Sequence, residues 1–196
     1  MFRHPCTIAT FASAAALAND YTADLERADG EPVISQSLRL ADILASEGGS
    51  EGPLHPAMLV AAVLLPAHRL GELTVEEVGE QLGDEAAAYL GAISRFKLLD
   101  ELEQGEVGQA PSLDDLSPSA RFVLLADMIN NLRYLSNGPL EEWPLERALA
   151  YRDWARKTAE HLSDVDELLR DALLGEARDF EQVYAENAEQ AQEAED

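Results

Sequence analysis

Asp127 and Asn131 stand four residues apart in a stretch whose apolar residues recur at helical spacing, so their side chains share one helix face with Leu124 and Met128. A carboxylate and a carboxamide on one face suit either of two tasks: hydrogen-bonding neighbouring helices in the core, or meeting a polar ligand. His68 and Glu72 are also four apart, and with Asp127 they make the one His/carboxylate grouping suited to a divalent cation. The remaining inventory is negative. No Ser-His-Asp or Cys-His nucleophile, no phosphate-cradling glycine loop and no zinc spacing is present. Cys6 is the only cysteine, which precludes an intramolecular disulfide and suggests a reducing, cytoplasmic compartment.

The elements that must position these residues read as helices throughout. Ala and Leu dominate, strand-type alternation is nearly absent, and the expected class is all-α, with about eight helices. The first runs from about Thr7 to Glu26 and stops at Asp29-Gly30-Glu31-Pro32. A second starts near Ser35, and a third starts near Pro56, is apolar nearly all round, and is expected at the centre, ended by Pro66. Thr74-Val75-Glu76-Glu77 is a capping box that opens a fourth. A fifth follows Gly83 to about Phe96, and residues 98–116 form a long acidic loop. Ser117-Pro118 opens a sixth helix that runs to about Leu135. A seventh begins near Pro144, and Ser163-Asp164-Val165-Asp166 caps an eighth. Residues 1–185 read as one domain, and 186–196 as a solvated or frayed acidic tail.

Charge narrows the partners. The chain has 196 residues with 38 acidic and 14 basic side chains, a net charge of −24, and Lys97 and Lys157 are its only lysines. Nucleic acid and anionic lipid surfaces are both disfavoured, because each requires a positive face. No apolar run reaches the roughly 18 residues of a membrane span. The Thr7–Ala18 stretch, faintly like a signal peptide, continues its helical pattern into Asp24, Leu25 and Glu26 and reads as the first helix of a soluble protein.

Four segments then fall in order. Gly30-Glu-Pro-Val-Ile-Ser-Gln-Ser-Leu-Arg-Leu-Ala41 resembles the G-x-P-Y-I-x-H-P-x-x-V-A segment of RelA/SpoT-type HD-domain hydrolases. Ala61-Ala-Val-Leu-Leu-Pro66 resembles their A-A-L-L-H-D, with Thr74–Glu77 at the matching distance. Ala126-Asp-Met-Ile-Asn-Asn-Leu-Arg133 resembles A-D-K-x-x-N-L-R. Trp143, Arg147, Tyr151 and Trp154-Ala155 are similar to the W-x-x-x-R-x-x-x-Y-x-x-W-A of the small stand-alone members, the metazoan SpoT homologue and the small alarmone hydrolases.

The resemblance implies an HD-domain helical bundle that binds one divalent cation, typically Mn²⁺, and removes the 3′ pyrophosphate of guanosine tetra- or pentaphosphate, or in some members the 2′ phosphate of NADPH. It also implies what this chain lacks. The ligand histidine of H-P falls on Gln36 and its proline on Ser37; the H-D pair falls on Leu65 and Pro66. The acidic pair that handles the nucleophilic water falls on Arg69 and Leu70. Of the ligand positions only Asp127 keeps its residue, a remnant expected to be unoccupied, and one carboxylate does not hold a catalytic ion. Two phosphate-binding lysines fall on Ala28 and Leu124. Arg27, Asn131 and Tyr151 match positions that contact base or ribose in the family, although Arg27 beside Asp24 and Asp29 also suits a surface ion pair and Tyr151 suits the core.

The expectation is therefore a degenerate HD-domain protein with no catalytic residue and no cofactor. It would act as a regulatory or protein-binding module through an unidentified protein partner or self-association. A non-catalytic nucleotide sensor using Arg27, Asn131 and Tyr151 is one alternative. A metal-dependent phosphohydrolase with a rearranged centre, its candidate ligands His68, Glu72 and Asp127, is the other.

Overall fold

The structure is a computed structural model that describes residues 8–27, 29–48, 55–94, 113–137, 143–162 and 164–195, with side chains to 186. Helices α1 (Ile8–Thr22), α2 (Val33–Glu47), α3 (Pro56–Leu70), α4 (Val75–Leu82), α5 (Asp84–Ile93), α6 (Pro118–Leu135), α7 (Leu145–His161) and α8 (Glu167–Glu195) follow one another, with a 3₁₀ turn at Leu113–Asp115. The all-α class holds. Among the described residues no helix is long and apolar enough to cross a membrane.

Helices α3 and α6 form the centre. In α3 every residue from Val60 to Ala67 is buried, and it packs on α1, α2, α5 and α6. In α6 burial is continuous from Val123 to Leu132, so Asp127, Asn130 and Asn131 are taken out of water with their neighbours, and this helix meets α2, α3, α5, α7 and α8. The polar face and the core face of α6 are therefore not separable, the pattern of a helix surrounded by others.

The start signals act as their chemistry requires. Thr74 accepts from the Glu77 amide while the Glu77 carboxylate receives the Thr74 amide, a complete capping box. The Ser117 hydroxyl accepts from the Ala120 amide with Pro118 at the first helical position.

Several boundaries differ from the sequence expectation. Pro66 does not end α3, which continues to Leu70. Proline removes one donor, but its ring lies in the core, and tertiary packing of the surrounding turns outweighs the lost bond. Helix α1 stops at Thr22 rather than Glu26, because Glu26 pairs with Pro32 in an antiparallel bridge instead. The cap of α8 is Asp166, whose Oδ1 accepts from the Leu169 amide at 3.1 Å. Residue 186 is not a break: the backbone of α8 stays helical to Glu195, carried by Ala, Glu and Gln without an apolar stripe. Most of the expected loop at 98–116 lies outside the described residues; its last part forms the 3₁₀ turn and buries Leu116.

Candidate functional site

The last turn of α3 carries Arg69 to the side of α6 that holds Asp127. Arg69 Nη1 donates to Asp127 Oδ2 at 2.6 Å, between residues 58 apart in sequence. The carboxylate side chain is 5% exposed and the guanidinium 22%, so the pair sits at the border of the core rather than on the surface. Leu65 and Leu124 are packed nearby in the interior at 0% and 1% exposure, and Ser37 of α2 is likewise buried. Among the described residues, Asp127 Oδ1, Arg69 Nε and Ser37 Oγ are buried without a hydrogen-bond partner.

Arg69 also lines an open cleft of about 260 Å³, together with Arg27, Gln36, Leu70, Asn131 and the aromatic pair Tyr134 and Trp143. What places Arg27 there is local backbone chemistry. The Asp29 side chain accepts from the Glu31 amide, Gly30 takes φ +79°, and the Arg27 amide donates to the Glu31 carbonyl at 2.9 Å. Val33 reaches back to the Leu25 carbonyl, so the chain reverses within a few residues and drops into α2. A left-handed conformation at position 30 is available to glycine at little cost.

The Arg27 guanidinium lies 3.3 Å from the centre of the Tyr134 ring, stacked face on. Burial lowers its pKa from the ordinary arginine value, an effect that Tyr134 opposes. Arg27 thus stacks on a side chain of its own chain. On the opposite flank the Arg147 guanidinium lies 3.9 Å from the Trp143 ring centre. The cleft thus has two aromatic faces, each with a stacked arginine.

Asn131 lines the cleft as well, one helical turn from Asp127. Its Nδ2 donates to the Tyr151 hydroxyl at 3.1 Å. Tyr151 is 1% exposed and packs edge-on against Trp143 and tilted against Trp154. Burial, then the charge of Asp127, pushes its phenol well above the usual tyrosine range. Tyr151 does not line the cleft with Arg27 and Asn131; it is the core residue that orients the buried Asn131 amide from behind.

The His68 grouping does not assemble. His68 Nδ1 bonds the Leu73 carbonyl at 2.6 Å, tying the turn after α3. Among the described residues no group of three or more His, Cys, Asp or Glu side chains is placed to hold a metal ion. The donors also fail a divalent cation chemically. The one carboxylate at the position expected of a ligand faces a guanidinium at contact distance, and the other expected ligand positions carry Gln36, a poor metal ligand, Leu65 and Pro66.

Sequence reasoning missed Arg69 as a site residue, reading it only as a lost acid. It also missed Tyr134. The face shared by Asp127 and Asn131 continues by three residues to Tyr134 and by four to Leu135, so the same spacing rule extended one turn would have found both.

Residues 14–148 match the HD-domain family. The human guanosine-3′,5′-bis(diphosphate) 3′-pyrophosphohydrolase MESH1 is 31% identical over 147 residues, 74% of this chain and 79% of its own length. The Xenopus tropicalis protein of that name is 29% identical over 142 residues, 72% of this chain and 77% of its own. A solved structure of a metazoan ortholog of SpoT, described as hydrolysing ppGpp and acting in starvation responses, has the same fold. It superposes with a TM-score of 0.69 over 90% of this chain and 97% of that one, at 19% identity. With the helical order, the family match and these relatives in agreement, the chain belongs to the HD-domain family, within the group similar to (p)ppGpp hydrolases.

Proposed function

We propose that this protein is a non-hydrolytic member of its family, a regulatory or protein-binding module built on an alarmone-hydrolase fold. One observation carries the reading: the only carboxylate at an expected ligand position is neutralised by Arg69 at 2.6 Å rather than facing open space. A catalytic cation needs several convergent oxygen or nitrogen donors and a place for the attacking water. Here the floor of the cleft offers a second cation instead. The intact caps and the packed core argue that the fold has been retained for another use.

The test is direct. Purified without chelator, the chain should contain no stoichiometric metal. With guanosine-3′,5′-bis(diphosphate) and Mn²⁺ it should release no pyrophosphate above the protein-free control. Release that Asp127→Ala abolishes, or one Mn²⁺ or Fe²⁺ per chain, overturns the proposal. Release that survives Asp127→Ala overturns it in favour of a rearranged centre.

A second reading, in which the cleft holds a nucleotide without cleaving it, is favoured by Arg27, Tyr134 and Asn131 together at the cleft. A ligand at 100 times its Kd stabilises a protein by about 2.7 kcal/mol, or roughly 5–11 °C for a chain of this size. A thermal-shift screen with guanosine tetraphosphate, GTP and NADPH should give a shift of that order for at least one. A flat screen at millimolar ligand rejects this reading.

A further inference from the structure

A carboxylate that is 5% exposed must be neutralised, because water no longer screens it and the protein interior does so weakly. Asp127 has one cation in contact with it, and that cation is covalently part of the chain. Arg69 is suited to the position. A guanidinium stays charged at every physiological pH, is weakly hydrated compared with an ammonium, and its planar fork fixes direction as well as charge.

The pair also has a mechanical task. Arg69 lies three residues beyond Pro66, whose missing N–H removes the helical bond back to Ala62, so it sits on the turn that follows the weakened one. The contact spans from that last turn to the central helix α6. At the same turn Gly71 approaches α1 so closely that a Cβ would lie 2.9 Å from the Tyr21 carbonyl and 2.6 Å from that of Ala67. The end of α3 is therefore held from two sides, by backbone contact with α1 and by an ion pair with α6.

We infer that Arg69 is a resident cation. Its guanidinium supplies the positive charge that the buried Asp127 carboxylate requires and ties the end of α3 to α6. This rests on the non-hydrolytic reading above and deepens it: the floor of the cleft has exchanged an ion that dissociates for a side chain that does not.

The experiment is a double-mutant cycle read by thermal denaturation, in the presence and absence of 1 mM Mn²⁺. Arg69→Gln leaves Asp127 buried without a partner and should lower Tm by roughly 6–20 °C. Asp127→Asn should lower it less, since an amide oxygen still accepts from Arg69. The double variant should recover at least half of the Arg69→Gln loss, and Arg69→Lys, which keeps a charge, should lose less than half of it. Mn²⁺ should leave the Tm of both the wild type and Arg69→Gln unchanged within about 1 °C, because a lone carboxylate does not hold the ion; recovery in the double variant and in Arg69→Lys is the readout that a purely packing role would not move. If Arg69→Gln does not fold, Arg69→Lys and Asp127→Asn still close a cycle. Losses that simply add, or a wild-type Tm raised by Mn²⁺, overturn the assignment. Pyrophosphate release by the wild-type chain without such a Tm shift overturns the non-hydrolytic reading alone, so the two failures are distinguishable.

Discussion

At the rim of the cleft, Arg27, Tyr134, Asn131 and Trp143 present a stacked guanidinium, two aromatic faces and a carboxamide. At its floor, Pro66 and Arg69 line the same cleft, and behind them lie Leu65 and the Asp127 carboxylate that Arg69 pairs with, both buried. Each region draws a polar residue from the central helix α6, on which one helical turn separates Asn131 from Asp127. The rim consists of groups that recognise flat or polar ligands and require no ion. The floor lacks the donors that hold an ion and has its charge balanced internally. Two chemically different environments therefore lie about one turn apart, roughly 5 Å, along α6.

The strongest way to break that contrast is to remove the acid at the floor. Asp127→Ala leaves a guanidinium at the border of the core with no carboxylate, and should cost about 3–5 kcal/mol in urea denaturation. A loss below about 1 kcal/mol would mean that the pair behaves as a surface contact. Tyr151→Phe tests the support of the rim from behind. It keeps the ring packing but strands the Asn131 amide, and should cost about 1–3 kcal/mol, detectable as a lower midpoint at unchanged slope.

Thr74→Ala touches no side chain of either region and calibrates them. Loss of the capping box should cost about 1 kcal/mol. Glu77 is held below the ordinary carboxylate value chiefly by the Thr74 amide and hydroxyl, then by Tyr21. Because its folded pKa is depressed, its contribution is fully present above the unfolded value and is lost as pH falls through the folded one. The stability gap between wild type and Thr74→Ala should therefore narrow in acid, and a constant gap down to pH 3 would show that the carboxylate contributes nothing.

The smallest stability effect is expected at the rim itself. Arg27→Ala removes one stacking contact, worth about 0.5–1 kcal/mol at a partly exposed site. If the cleft holds a nucleotide, however, the same change should abolish its thermal shift. An Arg27→Ala chain that keeps the full shift would place recognition elsewhere.

The helical order was readable because caps and apolar periodicity are local. Thr74-x-x-Glu77 and Ser117-Pro118 need no knowledge of the rest of the chain, and α3 declares its centrality by being apolar on every side. Pro66 misled for the opposite reason. Its local cost is real, but the packing that outweighs it comes from α1, α2, α5 and α6. The C-terminal stretch misled because periodicity was weighed over propensity, and Ala, Glu and Gln sustain a helix without a buried face. At the site, Arg27 and Asn131 were legible as cleft residues from their motif positions. The meaning of Arg69 was not, because its partner is 58 residues away and only the packing of α3 on α6 brings the charges together. Along the chain it registers as an acid lost; in space it is a cation gained.

Trp143 lines the cleft with Arg147 over its ring, while the other tryptophan, Trp154, packs against Tyr151 on the far side of the same aromatic row. Indole emission responds to charge and polarity within a few ångströms. The protein accordingly carries its own optical probe at the rim and a second indole set back from it to serve as an internal reference. Any molecule that displaces Arg147 or covers Trp143 will announce itself as a change in intensity or colour, without a label and without turnover.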